Sequence, residues 1–178
     1  GVVFGVSCHA VTLGSKWNKL SGDFPSYARK YIERELPGVT SLFVQNCGAD
    51  ANPEPRSTAN QDEIVQKQGE QLGAEVCRVA AGPLEAIRGP LRTAYETVSL
   101  PLQPAPSARQ LAELAEGPFW QSHNARRICD AQTRGEPLPT HYAAPLALWQ
   151  FGNDLTLVAI SGEVVCDYVP LVRDALGT

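Results

Sequence analysis

Histidine and carboxylate side chains follow apolar runs of the sequence at points where strands are expected to end. His9 follows residues 2–6, Glu163 follows residues 155–160, and a polar loop at 45–53 follows a third apolar run. Because α/β sheets place their chemistry at the carboxyl ends of strands, we expect these loop ends to lie at one edge of a mainly parallel sheet, in a common cleft. Imidazole and carboxylate are zinc-ligand types, so His9 and Glu163 predict part of a zinc site.

The predicted zinc site is incomplete, since at least three protein ligands are needed and the sequence offers no obvious third one. This fits a piece of a longer protein, as does a chain that begins in an apolar run without Met. The alternative role for His9 is a structural hydrogen bond at a strand end. Glu163 must either face solvent or bind a cation. His123 and His141 are expected on the surface.

Composition and motifs exclude several classes of protein. The net charge of −4 argues against nucleic acid or an anionic membrane as the main partner. No apolar stretch reaches the length of a membrane span, and no signal peptide is visible. A serine-hydrolase G-x-S-x-G, a P-loop and a G-x-G-x-x-G are all absent, so we expect no nucleotide cofactor.

The cysteines are expected to pack rather than to form a framework. They are five in number, widely spaced and without a C-x-x-C pair, which argues against a disulfide scaffold or a structural zinc cluster. Cys77 is expected on a helix face as a small buried residue. Cys8, Cys47 and Cys166 each lie close to one of the three loop ends, where burial is the expected role.

Hydrophobic periodicity predicts a single α/β domain over residues 1–178, with a mainly parallel or mixed sheet flanked by helices in three layers. The first ~45 residues read as a βαβ unit whose first strand is buried on both faces. Strands are expected at 2–6, 41–45, 87–102, 142–151 and 155–160, the third of them at a sheet edge. The last two are expected to form a hairpin through a turn at residues 152–154. Helices are expected at about 23–36, 58–81, 107–116, 120–134 and 164–176.

Local signals predict how three of these helices begin or end. Asp23 can cap the first helix, and Pro25 suits its first turn. Thr58 and Gln61 fit a capping box at the start of the second. Gly177 is expected to end the last helix.

Four blocks of the sequence, in this order, resemble the neutral/alkaline non-lysosomal ceramidase family. They are SCHAVTLG at 7–14, SGDFPSYA at 21–28, NCGADANP at 46–53 and ISGE at 160–163. The likeness is greater to bacterial ceramidase-like proteins of unknown substrate. The resemblance implies a catalytic domain that binds one zinc ion and hydrolyses the amide of N-acyl-sphingosine, with His9 and Glu163 as zinc ligands. It also implies a secreted or periplasmic parent protein.

The sequence departs from that family in its central loop. The family has Gly-Asp-Val-Ser-Pro, whose serine lies by the zinc and has been assigned the nucleophile's part. Here Asn52 stands in that place and the loop is one residue longer. An asparagine cannot attack a carbonyl, but it can orient a substrate or donate to an oxyanion. The family's other histidine and its tyrosine fall outside this chain, and Tyr168 follows Glu163 too closely to match that tyrosine.

The resulting hypothesis is the C-terminal portion of a ceramidase-like zinc amide or ester hydrolase, inactive in isolation. In it Asn46, Asp50 and Asn52 line the pocket, and the substrate is a small-molecule or lipid amide. The competing hypothesis is a non-catalytic α/β scaffold or binding module that lost this chemistry. The missing serine favours the scaffold, and His9 with Glu163 favours the enzyme.

Overall fold

The computed structural model describes residues 1–56 and 59–177 of the chain. The elements in chain order are β1 (Val2–Val6), α1 (Asp23–Glu35), β2 (Ser41–Gln45), α2 (Gln61–Ala80), β3 (Leu91–Pro101), α3 (Ala108–Ala115), α4 (Phe119–Thr133), β4 (His141–Phe151), β5 (Leu155–Ile160) and α5 (Tyr168–Leu176). The predicted α/β class is confirmed. Across the described residues, no helix is long and apolar enough to cross a membrane.

The chain divides into two compact units, one formed by Gly1–Ile87 with Gly162–Thr178 and the other by Arg88–Ser161. That the chain is a single domain stays a prediction, because compact units of one chain can belong to one domain. The first unit contains β1, α1, β2, α2 and α5. The second contains β3, α3, α4, β4 and β5.

In the first unit, β1 and β2 form a parallel pair with Phe4 opposite Phe43. Phe4 packs with Ala28 and Ile32 of α1, and its ring meets that of Phe43 edge-on at a centroid distance of 5.5 Å. Only this face of the pair is buried. The prediction that β1 is buried on both faces is therefore wrong, since Val3 remains 65% exposed.

Helices α1 and α2 pack closely because two glycines of α2 face α1. A Cβ added at Gly69 would lie 2.4 Å from the Cβ of Tyr27 and 2.5 Å from the carbonyl oxygen of Phe24. A Cβ at Gly73 would lie 2.8 Å from the Cβ of Tyr31. The close approach of the α1 and α2 backbones therefore requires glycine at positions 69 and 73.

In the second unit, β3, β4 and β5 form an antiparallel sheet with β3 at one edge, as predicted for that strand. Strand β5 thus pairs with β4 and does not extend the parallel pair. The prediction that the three loop ends lie at one edge of a single, mainly parallel sheet is therefore wrong for the loop that follows β5. The hairpin predicted at residues 152–154 is confirmed, and it pairs β5 with β4.

The predicted helix ends differ in three places. Asp23 does not cap α1 from the N-cap position, which is Gly22 and carries no side-chain cap. The predicted capping box of α2 includes Thr58, which lies outside the described residues, and the Gln61 side chain instead accepts the backbone N–H of Gly14 at 2.7 Å. Helix α5 begins at Tyr168 rather than 164, and Gly177 ends it in the left-handed conformation with φ 72°, as predicted.

Candidate functional site

The central loop after β2 lies against the end of β1 through Gly48. A Cβ at this position would lie 2.5 Å from both the carbonyl carbon of Ser7 and the backbone nitrogen of Cys8. Gly48 is buried, and only a residue without a side chain permits this approach of two backbones. The glycine therefore sets the central loop directly beside the residue that precedes His9.

His9 is bound to the central loop by two hydrogen bonds. Its backbone N–H donates to the carbonyl oxygen of Ala51 at 2.9 Å, and its ring Nε2 lies 2.9 Å from the carbonyl oxygen of Ala49. A carbonyl oxygen only accepts, so Nε2 must carry the hydrogen. In the neutral ring the unprotonated nitrogen is then Nδ1, which is left with its lone pair.

The segment after β5 contacts the same loop. The backbone N–H of Ala49 donates to the carbonyl oxygen of Val164 at 3.0 Å. The backbone N–H of Cys166 donates to Oδ1 of Asp50 at 2.8 Å. Glu163, whose side chain is exposed, directly precedes Val164. Ala49 is thus hydrogen-bonded both to the His9 ring and to the residue that follows Glu163.

The ionisable groups of this loop perturb one another. The pKa of Asp50 is lowered, chiefly because its carboxylate accepts the Cys166 backbone N–H. The pKa of the Cys166 thiol is raised, first by its hydrogen bond to Asp50 and then by burial. Burial also raises the pKa of the Cys8 thiol, with a smaller contribution from the charge of Asp23.

The two asparagines expected in the pocket lie on the exposed part of the loop. Oδ1 of Asn52 accepts a hydrogen bond from Nη1 of Arg56 at 2.9 Å, and no described residue accepts from the Asn52 amide group. The backbone N–H of Asn46 donates to the carbonyl oxygen of Val6 at 3.2 Å. Its side chain lies beside Gly5, where a Cβ would come within 2.9 Å of Oδ1.

The carboxylate of Asp23 anchors the segment after His9, a role that the sequence did not reveal. Asp23 is 5% exposed, and it accepts the backbone N–H of Thr12 at 3.2 Å and that of Leu13 at 2.9 Å. Thr12 is fully buried and its hydroxyl donates to Oε1 of Gln68 in α2 at 2.5 Å. The only sequence signal was an acidic residue before Phe-Pro at a helix start, which reads equally well as a cap.

The surroundings of the His9 ring are the feature that bears on metal binding. A metal-ligating histidine usually donates its second ring N–H to a carbonyl or carboxylate, as His9 does to Ala49, and this presents the other nitrogen to the metal. Within residues 1–56 and 59–177, however, no group of three His, Cys, Asp or Glu side chains is placed to hold a metal ion. The described residues therefore offer ligands of the right type but not a closed site.

Comparison with known proteins gives a likeness of fold. No protein-family model matches the chain, and no curated protein matches it. The neutral ceramidase of Pseudomonas aeruginosa is similar in structure, with a TM-score of 0.67 and 17% identity over 97% of this chain and 34% of that one. A ceramidase complexed with C2 gives a TM-score of 0.59 and 14% identity over 88% of this chain and 32% of that one. The chain thus spans about a third of the length of these enzymes and shares the fold of that part.

Proposed function

We propose that this chain is part of a longer zinc-dependent amide or ester hydrolase that resembles neutral ceramidase. The observation that carries the proposal is the hydrogen bond from His9 Nε2 to the carbonyl oxygen of Ala49. Because Nε2 carries the hydrogen, Nδ1 keeps the lone pair that can bind a metal ion. The fold likeness to two ceramidases over almost the whole chain supports it. The proposed substrate is a lipid or other small-molecule amide.

In this proposal His9 would hold zinc through Nδ1 and Glu163 would hold it through its carboxylate, and residues outside 1–178 would supply the remaining ligands. Ala49 fixes the ring of His9 by accepting from Nε2, and it fixes the backbone beside Glu163 by donating to Val164. The chemistry that zinc supplies when bound is polarisation of a carbonyl and activation of water. Alone, the 178-residue chain is expected to bind zinc weakly and to lack amidase activity, because two ligands leave a metal ion mostly hydrated.

The loop residues have distinct proposed roles. Asn52 donates an amide N–H to the oxygen that gains charge on the substrate, since its own Oδ1 is already held by Arg56. Asp50 is a positioning residue that ties the segment after Glu163 to the loop through Cys166. Asn46 lines the approach to the loop from the end of β2.

The second candidate function is a non-catalytic scaffold or binding module. Two observations favour it: Asn52 stands where the family has serine, and the described residues do not complete a metal site. A scaffold would need Asp23, Gly48 and Ala49 for its fold, but it would not need the Glu163 carboxylate.

Turnover of an amide substrate by the longer protein distinguishes the two functions. Glu163→Gln should abolish hydrolysis, because it removes a charged ligand. Asn52→Ala should lower kcat by a factor on the order of 10²–10³, which is the usual effect of removing one oriented hydrogen-bond donor to an oxyanion. Asn52→Ser restores the serine that the family has in this loop. The loop is one residue longer here, so turnover by this variant reports whether the serine hydroxyl reaches the family's position.

The matched controls are Glu85→Gln and Asn18→Ala, both exposed residues outside the central loop at 45–53. They should hydrolyse the substrate at the wild-type rate. Equal turnover with and without Glu163 would reject zinc chemistry, and absence of turnover in the wild-type protein on amides and esters alike would favour the scaffold.

A further inference from the structure

Cys47 and Cys166 meet across 119 residues of sequence. The Sγ of Cys166 donates to the carbonyl oxygen of Cys47 at 3.2 Å. The backbone on either side is fixed, because Ala49 donates to Val164 at 3.0 Å and Cys166 donates to Asp50 at 2.8 Å. The sulfur of Cys166 is therefore held against the backbone of Cys47 by a set of bonds rather than by one contact.

Cys47 and Cys166 are both partly exposed residues, so small oxidants can reach them. The side chains of the other cysteines make other contacts, although the backbone of Cys8 also approaches this loop at Gly48. The Cys8 thiol lies 3.7 Å from the carbonyl oxygen of His9, its own neighbour in sequence, and Cys77 packs against the core of Phe4, Ala28 and Ile32. Cys129 is exposed on α4.

We propose that Cys47 and Cys166 form a reversible disulfide that fastens the segment after Glu163 to the central loop. The proposal does not depend on zinc or on hydrolysis, since it rests on the contact of these two residues. In the reduced protein the segment is held by hydrogen bonds alone. In the oxidised protein a covalent bond holds the same two backbones in place.

The proposed oxidant is a low-molecular-weight disulfide such as oxidised glutathione. The thiolate of one cysteine attacks it, forming a mixed disulfide and releasing one reduced glutathione. The thiolate of the second cysteine then attacks the protein sulfur of the mixed disulfide, forming the Cys47–Cys166 bond and releasing a second reduced glutathione. The two protein sulfurs lose two electrons in total, the oxidant gains them, and the two thiol protons pass through solvent to the released glutathione.

The sequence makes the test direct, because each of the five cysteines lies on a different tryptic peptide. Cys47 lies on 35–56 and Cys166 on 135–173. The folded chain is equilibrated with oxidised and reduced glutathione, alkylated, digested without reduction and analysed by mass spectrometry. A sample oxidised in denaturant measures the linkages that form without a fold.

The expected result is a peptide pair joining 35–56 to 135–173, enriched at least several-fold over the denatured sample, with a loss of two free thiols that dithiothreitol reverses. Cys166→Ser should abolish the pair, although its hydroxyl can still donate to Cys47. The control Cys129→Ser should retain it. The proposal is overturned if Cys47 and Cys166 are recovered as free, alkylated thiols after equilibration under oxidising conditions. It is also overturned if either forms a disulfide with Cys8, Cys77 or Cys129 more often than with its proposed partner.

Discussion

The ring of His9 is hydrogen-bonded through Nε2 to the carbonyl oxygen of Ala49, 40 residues further along the chain, at 2.9 Å. This bond settles which ring nitrogen carries the hydrogen, and it ties the end of β1 to the loop after β2. It is compatible with both roles expected for His9, because a structural hydrogen bond at Nε2 leaves Nδ1 available to a ligand. The two roles therefore differ in what Nδ1 does.

Substitution of His9 separates the two nitrogens. His9→Ala removes the bond to Ala49 and should lower the free energy of unfolding by about 1 kcal/mol, the net value of one hydrogen bond. His9→Gln places an amide N–H near the former Nε2 and should recover most of that loss. Chemical denaturation of the three proteins measures both differences, and equal destabilisation by Ala and Gln would mean that the ring contributes by packing instead.

Gly48→Ala tests the close approach of the central loop to β1. The new Cβ would lie 2.5 Å from backbone atoms of Ser7 and Cys8, which cannot rotate away, so the loop must shift. We expect a loss of roughly 1–3 kcal/mol in the free energy of unfolding and faster hydrogen exchange at the His9 amide. Gly82→Ala is the control, because among the described residues its new Cβ would have one atom within 4 Å, the Val79 carbonyl oxygen at 3.3 Å. A stable Gly48→Ala protein with a protected His9 amide would contradict the packing.

Gly69→Ala tests the contact between α1 and α2. Alanine is a better helix former than glycine by about 1 kcal/mol, so the substitution would stabilise an isolated helix. Here the added methyl meets the Cβ of Tyr27 and the carbonyl oxygen of Phe24, and we expect a net loss of stability. Thermal denaturation measures the sign, with Gln71→Ala on the exposed side of α2 as control. A rise in Tm for Gly69→Ala would show that the helices can move apart at little cost.

The bond between Asp50 and Cys166 should make stability depend on pH. The pKa of Asp50 is lowered in the folded protein, first by the Cys166 backbone N–H. A depressed carboxyl pKa contributes stability that is present above the unfolded-state pKa and is lost as pH falls through the folded-state pKa. Asp50→Asn should therefore be less stable than wild type at neutral pH, and the difference should shrink in acid.

Unfolding measured across the acid range checks this, with the exposed Asp130→Asn of α4 as control. A difference between wild type and Asp50→Asn that stays constant down to strongly acidic pH would show that the charge of Asp50 is not involved. The same substitution should also lower the pKa of Cys166, since Asp50 is the first cause of its increase.

Much of the secondary structure could be predicted because it is encoded locally. The strands β1, β2 and β5 coincide with apolar runs that end in polar or glycine-containing loops. Gly177 ends α5 because glycine tolerates positive φ. The start of α5 was predicted too early since residues 164 and 166 bond to the central loop instead, a contact more than 100 residues away in sequence. The hairpin of β4 and β5 was predicted from its turn residues and is confirmed. The separation of β5 from the parallel pair of β1 and β2 was missed, because an apolar run does not specify its partner strand.

That the candidate site uses these residues stays a prediction, and the bonds that hold them could not be foreseen from the sequence. His9 and Glu163 stood out because polar side chains directly follow strands. Gly48 and Asp23 could not be assigned from sequence, since a loop glycine and an acidic residue before a helix have common local roles. Their actual roles depend on backbone groups of Ser7, Cys8, Thr12 and Leu13, which only the fold brings near them.

The zinc content of the longer protein tests the central claim most directly, with His9→Gln as the decisive variant. That substitution keeps an N–H for Ala49 but removes the nitrogen proposed to bind the metal, so folding and metal binding separate. We predict roughly one zinc per wild-type protein. Most of it should be lost in both His9→Gln and Glu163→Gln, while the Tm of the metal-free proteins stays close to that of wild type. The surface control His123→Ala should lose none. A zinc content of His9→Gln equal to that of wild type would contradict the account. So would a wild-type protein that holds no zinc as purified and takes up none when zinc is added.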